Sequence, residues 1–387
     1  MRISLLLVSS KPVHANKPPS GGGYNGPHML LIRLWIGLVM LCAAGPAQKP
    51  ADEEVRRVHR AAILIDAHND APLRVIRGVD IGVRATDGHT DLVRLREGGV
   101  DAVFFAAYVS PTYVPRRQAA RQGLEMIDAV RTGMVGRYPD DFTLALTAGD
   151  IESAQQQGKL AVLIGVEGGH AIENSLRVLR SFHALGARYL TLTHANTNDW
   201  ADSSGDINNA KVPHHNGLTD FGRQVIAEMN RLGMIVDISH VSDKTFWDVL
   251  EVSQEPIFAS HSSVRALCDD PRNLTDEMIR ALAAKGGLVQ INFRAAFLTQ
   301  RPALPAGVDD VVAHIDHVAK LAGTGAVGIG SDYDGIDYAP VGLEDVSKFP
   351  NLTRALLAKG YSGEDIARIY GGNLLRLMRA VEAAAGR

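Results

Sequence analysis

Eight short apolar runs recur along the chain from residue 62 onward, and longer amphipathic stretches separate them. This alternation limits the available folds more than any other feature. The runs are AILIDAH (62–68), DAVFFAAYV (101–109), LAVLIGVEG (160–168), RYLTLTH (188–194), MIVDISH (234–240), PIFASH (256–261), GLVQINF (287–293) and AVGIGSD (326–332). Near-continuous apolarity over so few residues suits parallel strands buried on both faces. Between them, TDFGRQVIAEMNRLG (219–233) spaces Phe221, Val225, Met229 and Leu232 along one helical face and stops at Gly233. LTDEMIRALAAKGG (274–287) begins from a Thr275 cap, and the last helical stretch (362–384) begins from Ser362. Eight strand-plus-helix units predict an α/β fold of the (β/α)8 TIM-barrel type, with reactive residues at the C-terminal strand ends. The alternative is an open doubly wound sheet.

Length allows two domains, but the strand rhythm runs unbroken, so a single catalytic barrel domain is expected over residues 51–387. Residues 1–50 read as a leader. Met29 opens a segment with Arg33, a 12-residue apolar run from Leu34 to Gly45 and small residues suited to signal peptidase, a signal peptide over about 29–47. The run is short for a membrane span, so export to the periplasm or exterior without a stable span after processing is expected. The leader carries five Lys or Arg and no acid, leaving 35 bases against 43 acids in the remainder. An acidic body without a basic stripe argues against nucleic-acid binding. With only Cys42 and Cys268 in the chain, neither a disulfide framework nor a Cys-rich metal site is expected. Any metal must rely on His and carboxylate.

Polar residues recur at one structural place. His68 and Asp70 follow run one, Glu167 ends run three, His194 run four, His240 run five, His261 run six and Asp332 run eight. A lone His after a strand is ordinarily a satisfied structural residue. Six strand ends of eight form a pattern, because burying so many ionisable groups together is costly unless a metal or partners compensate. Residues i and i+2 of an extended segment point the same way, so His68 and Asp70 can grip one cation while Asn69 points elsewhere. Neutral imidazole and carboxylate suit Zn²⁺. His240 and His261 could hold a second ion, and Glu167 has two oxygens with which to bridge.

The segments DAHND, GVEGGH, LTLTHANTNDWAD, HNGLTDFGRQVIAEMNRLGMIVDISHVS, SHSSVRALCDDPRN and GSDYDG resemble those of the renal, or membrane, dipeptidases and their bacterial relatives (peptidase family M19), binuclear zinc peptidases with an amidohydrolase-like barrel. The resemblance runs from about residue 55 to the C-terminus. It implies two Zn²⁺ per chain, one on His68 and Asp70, the other on His240 and His261, with Glu167 bridging. It also implies that His194 polarises the scissile carbonyl, that Asp332 moves the proton, and that Arg272 holds the substrate carboxylate. Hydrolysis of dipeptides, L,D-dipeptides included, by a hydroxide shared between the metals is then expected, as is a homodimer. A related amidohydrolase acting on N-acyl amino acids or β-lactams, or a non-catalytic exported metal- or peptide-binding protein, are the alternatives.

Other candidates read differently. His170 is expected to be a hydrogen-bond partner behind Glu167. His59, His89, His214 and His215 are expected at the surface, and His314 and His317 on the solvated face of an outer helix. Asp334 and Asp337 are expected to cap or shape the last loop. Arg294 stands where the renal relatives carry an aromatic residue near the substrate, which leaves metal chemistry intact and bears on side-chain specificity.

Overall fold

In the computed structural model the described residues are 50–301 and 305–385. The expected leader and its signal segment lie outside them. Nine strands form: β1 (Ile65–Asn69), β2 (Ala102–Tyr108), β3 (Phe142–Leu144), β4 (Leu160–Glu167), β5 (Ala187–Thr191), β6 (Ile235–Asp237), β7 (Phe258–Ser262), β8 (Leu288–Ile291) and β9 (Val327–Ile329). Every apolar run yields one of them. The exception is β3, which was not expected; its three residues are too few to carry a periodic signal. It pairs with Leu160–Val162 of β4, on the edge left free because β5 pairs with β4 only from Ile164 onward.

The remaining eight strands run parallel in the order β1-β2-β4-β5-β6-β7-β8-β9. An open doubly wound sheet would leave both outer strands unpaired. Here β9 returns to β1 through a parallel bridge between Asn69 and Tyr333, and the ring is a (β/α)8 TIM barrel. The seam is closed at its C-terminal end, where Asp332 N–H donates to His68 C=O (3.0 Å) and Asp70 N–H donates to Tyr333 C=O (2.8 Å).

Strand periodicity sorts the core into two layers. In β2, Val103, Phe105 and Ala107 face the surrounding helices, while Ala102 and Phe104 face the barrel interior; in β4, Val162 and Ile164 face out and Ala161 and Leu163 face in. The interior is filled by Phe104, Leu163, Tyr189, Phe258 and Leu288, and Leu374, Leu377, Met378 and Val381 of the C-terminal helix (Asn373–Ala384) join the same cluster. Burying each such large apolar side chain contributes roughly 1.5–3 kcal/mol. Gly165 is required by this packing, because a Cβ there would lie 1.8 Å from the Tyr189 ring. Inward parity in β4 then continues to Glu167, which puts that carboxylate at the mouth.

The expected helix starts are found. Thr219 caps Asp220–Leu232, Thr275 caps Asp276–Ala284, and Ser362 forms a capping box with Asp365 at the start of the last helical segment. Two histidines expected in solvent are instead buried. His59, in the helix Asp52–Ala61, bonds Thr353 Oγ1 (2.7 Å) and Gly98 C=O (2.8 Å). His314, in the helix Val308–Ala322, accepts from Val264 N–H (3.0 Å) and faces Leu298 C=O (3.0 Å). Both sit where a helix meets a loop whose backbone groups need partners, a need that helix periodicity does not reveal.

Candidate active site

At the C-terminal mouth of the barrel a cavity of about 540 Å³ is lined by Asp70, Tyr108, Glu167, His194, His240, Arg272 and Asp332, among others. His68 and His261 are buried beside it, at 0% and 1% exposure. All eight residues singled out from the sequence therefore meet in one place, although they come from seven strand ends or loops.

The candidate ligand atoms converge on Glu167. Its Oε1 lies 3.1 Å from His240 Nε2 and 3.3 Å from His261 Nε2, and its Oε2 lies 3.6 Å from His68 Nε2. His68 Nε2 is in turn 3.4 Å from Asp70 Oδ2. Asp70 has already left β1 (φ −95°, ψ 15°), but its side chain still falls on the His68 side, while the Asn69 amide donates to Thr90 Oγ1 (2.9 Å). His194 Nε2 stands further off, 3.9 Å from Glu167 Oε1.

Bulges and left-handed turns aim these groups. The β1–β2 ladder shifts register between Asp66 and Asn69, and the β7–β8 ladder between Ala259 and Ser262, at the strand segments that carry His68 and His261. His240 (φ +69°) and Asp332 (φ +63°) occupy the left-handed region, which non-glycine residues enter only where the surroundings impose it. Around His240 the imposition comes from Ser204, whose N–H (2.8 Å) and Oγ (3.0 Å) both donate to the His240 carbonyl. Gly335 completes the wall. A Cβ there would fall 2.2 Å from Asp70 Oδ2 and 2.7 Å from Asp332 Oδ1.

Electrostatics separate the acids from the imidazoles. Burial opposes the charge on Glu167, but the close approach of the imidazoles of His68, His194, His240 and His261 outweighs it and holds its carboxyl well below the usual range. Burial, then the Arg272 charge, keeps His240 well below the ordinary histidine value; burial, then His68, does the same for His261. Burial also raises Asp332, and it pushes Asp70 up to about 7. The ionised Glu167 carboxylate beside the neutral imidazoles of His240 and His261 is a donor set for a divalent cation.

The arrangement also leaves a deficit that a cation would fill. His68 Nε2 and Asp70 Oδ1 are buried without a hydrogen-bond partner. His240 Nε2 and His261 Nε2 lie 2.9 Å apart, and three overlapping groups could hold a cation: His68, Glu167 and His261; Glu167, His194 and His240; His68, Asp70 and Asp332. The donors fit metal ions.

Arg272 is 8% exposed, with Nη1 donating to Ser262 Oγ (2.9 Å) and Nη2 to His261 C=O (2.9 Å), and its Nε is unpartnered. Asp332 Oδ2 accepts from Asn292 Nδ2 at 2.8 Å. Asn292 and Tyr108, whose ring lies 4.7 Å from that of His194, were missed from the sequence. Both had a signal, since they fall at the ends of runs seven and two. Each of the eight apolar runs thus supplies a polar group at or just beyond its end.

His170 does not bond Glu167 as expected. Its Nε2 faces the Val109 carbonyl at 2.8 Å, and Val109 N–H donates to Glu167 C=O, so its support reaches the site through backbone. His89 is half-buried, and its Nδ1 accepts from Asp334 N–H while Asp334 Oδ1 accepts from His89 N–H. His214 and His215 are exposed, and His317 is half-buried against Asp276 (2.7 Å). Arg294 lines the cavity 4.9 Å above the Phe297 ring and pairs with Asp337 at 3.0 Å.

A parallel barrel whose strand ends gather carboxylates and imidazoles around one central glutamate is a metallohydrolase-type barrel. The chain belongs to the membrane dipeptidase family, peptidase family M19, whose family model matches residues 52–387. Dipeptidase 3 of Mus musculus is 42% identical over 337 residues, which cover 85% of this chain and 66% of that protein, so the chain spans about two thirds of its relative's length. A metallo peptidase from Rhodobacter sphaeroides, liganded with a phosphinate mimic of the dipeptide L-Ala-D-Ala, superposes with a TM-score of 0.74 at 30% identity, covering 83% of this chain and 99% of that one. The M19 metallo peptidase dipeptidase AC gives 0.75 at 29% identity, covering 84% and 99%.

Proposed function

We propose that this chain is a zinc-dependent dipeptidase. The observation that carries the reading is Glu167, whose two oxygens face different imidazoles, His68 on one side and His240 with His261 on the other. In this reading His68 and Asp70 would hold one Zn²⁺ and His240 and His261 a second, with Glu167 within reach of both. Bound there, such ions would supply hydroxide at neutral pH by lowering the pKa of water.

The chain's own residues do the rest. Arg272, fixed by Ser262 and the His261 carbonyl, presents a guanidinium that pairs with the free carboxylate of a dipeptide, which selects short substrates. His194 donates a hydrogen bond to the scissile carbonyl oxygen as negative charge develops there. Asp332, held by Asn292, accepts the proton released at the nucleophile and returns it to the leaving amine. The phosphinate ligand of the Rhodobacter relative supports including L,D-dipeptides among the substrates.

The test is metal content together with turnover on L,L- and L,D-dipeptides, N-acyl amino acids and β-lactams. Two zinc ions per chain and dipeptide cleavage are expected. Zinc-replete protein that leaves every dipeptide intact overturns the reading. The same reading takes the protein as exported and homodimeric, checked by N-terminal sequencing of secreted material and by solution mass. No helix among the described residues is long and apolar enough to cross a membrane.

A further inference from the structure

The barrel ring has two thin seams. β6 and β7 share a single register pair, Asp237 with Phe258, and β9 meets β1 only through the isolated bridge between Asn69 and Tyr333. The same device closes both. At the first, fully buried Asp237 accepts from Ser260 N–H (Oδ1, 2.8 Å) and from Ser260 Oγ (Oδ2, 2.6 Å). At the second, fully buried Asp66 accepts from Ser331 N–H (Oδ1, 2.8 Å) and from Ser331 Oγ (Oδ2, 2.6 Å). In each case the gripped serine directly precedes a site residue, His261 or Asp332.

The first clamp also fixes the position of a proton. Ser260 Oγ has one proton, and a carboxylate oxygen at 2.6 Å is its strongest acceptor. The hydroxyl oxygen is then left to accept, and His261 Nδ1 lies 2.7 Å from it. In the two-metal reading His261 therefore carries its proton on Nδ1 and leaves the lone pair of Nε2 available to a cation beside Glu167. Asp237 is itself anchored by Thr191 Oγ1 (2.5 Å) on β5 and Ser239 N–H (3.0 Å), so four donors fill its capacity and the chain of bonds has one direction.

We infer that Asp237 and Asp66 are positioning residues: Asp237 acts through Ser260 to fix the orientation and tautomer of His261, and Asp66 acts through Ser331 to hold Asp332 at the seam. The inference rests on the two-metal reading above. It assigns the two clamps different consequences, one for metal affinity and one for proton transfer, which a purely structural role would not separate.

The experiment compares Ser260→Ala and Ser331→Ala in the full-length protein, with Co²⁺ as the metal probe, chelator competition for affinity, dipeptide turnover, and thermal unfolding as a control. Ser260→Ala is expected to weaken Co²⁺ binding by about 10- to 100-fold, the range for loss of a histidine's outer partner. Ser331→Ala is expected to lower kcat by about 10-fold, less than the 10²- to 10⁴-fold of losing an acid–base group outright because Asp332 itself remains, with Co²⁺ affinity unchanged. If both variants change affinity and kcat together, in step with the melting temperature, or change neither, the inference fails while the dipeptidase reading stands. If the wild type binds no Co²⁺, both fail. ¹⁵N-histidine NMR of the metal-loaded wild type provides a readout independent of either variant's folding: a proton on His261 Nδ1 is expected, and one on Nε2 overturns the Ser260 relay.

Discussion

The backbone N–H of Asp332 donates to the carbonyl oxygen of His68 at 3.0 Å. In the proposed reading, the residue assigned to proton transfer thus hangs from the strand end that carries His68, and the seam of the barrel passes through the candidate site. Closing the fold and assembling the site are one event.

Asp332 sits at φ +63°, a conformation that Asn tolerates and Ala does not. Asp332→Asn is therefore the informative substitution. It is expected to keep the fold and the metal content and to lose about 10²- to 10⁴-fold in kcat. Steady-state kinetics with parallel metal analysis checks this, and near-normal turnover would remove Asp332 from the proton path.

Arg272→Met keeps length and removes the fork that reads a carboxylate. KM for free dipeptides is expected to rise by about 100-fold, in line with about 2–3 kcal/mol for a charge-assisted pair. The wild type should discriminate strongly against C-terminally amidated dipeptides and the variant weakly. Equal discrimination by both would place the carboxylate elsewhere.

Gly335→Ala tests close approach. Its new methyl would meet Asp70 Oδ2 and Asp332 Oδ1, so one or both carboxylates must move. Activity is expected to fall by at least about 10-fold, a misplacement effect, with little change in melting temperature because the clash is at the mouth and not in the core. Full activity would mean that the mouth yields more than its packing implies.

Removal of metal is expected to lower the melting temperature. Ions that bind only the folded chain stabilise it by about 2.7 kcal/mol at a hundredfold excess over Kd. The orphaned His68 Nε2 and Asp70 Oδ1 add to the effect, since chelation leaves them buried without partners. Calorimetry with and without chelator, followed by zinc add-back, measures it; a reversible drop is expected, and an unchanged melting temperature would count against a preorganised site.

His170 sets an acid-side signature. Burial lowers its pKa from the ordinary 6.5 to about 4, so the unfolded chain binds the proton first. Its contribution to stability is full above about pH 6.5 and is lost as pH falls toward 4, about 3 kcal/mol in all. His170→Gln can keep the donor to Val109 and removes the titration. The stability advantage of wild type over variant should shrink between pH 7 and pH 4 in denaturant titrations, and a constant difference would contradict the assignment.

The sequence by itself determined the ring and its chemistry. Strands buried on both faces are apolar along most of their length, so eight runs announced eight parallel strands, and the ionisable groups stood out because they recur at the same end of so many runs. What it could not express is distance. Whether β9 met β1, whether Asp70 stayed beside His68 after leaving the strand, and whether His59 and His314 faced solvent or loop backbone depend on contacts between residues far apart in the chain. Asp66 and Asp237 show the limit most clearly: each lies inside an apolar run and looks like a lone interruption, and only tertiary structure supplies the serine, 265 or 23 positions away, that gives it a role. Local pattern records which face a residue shows, while the partner it meets is fixed by closure of the barrel.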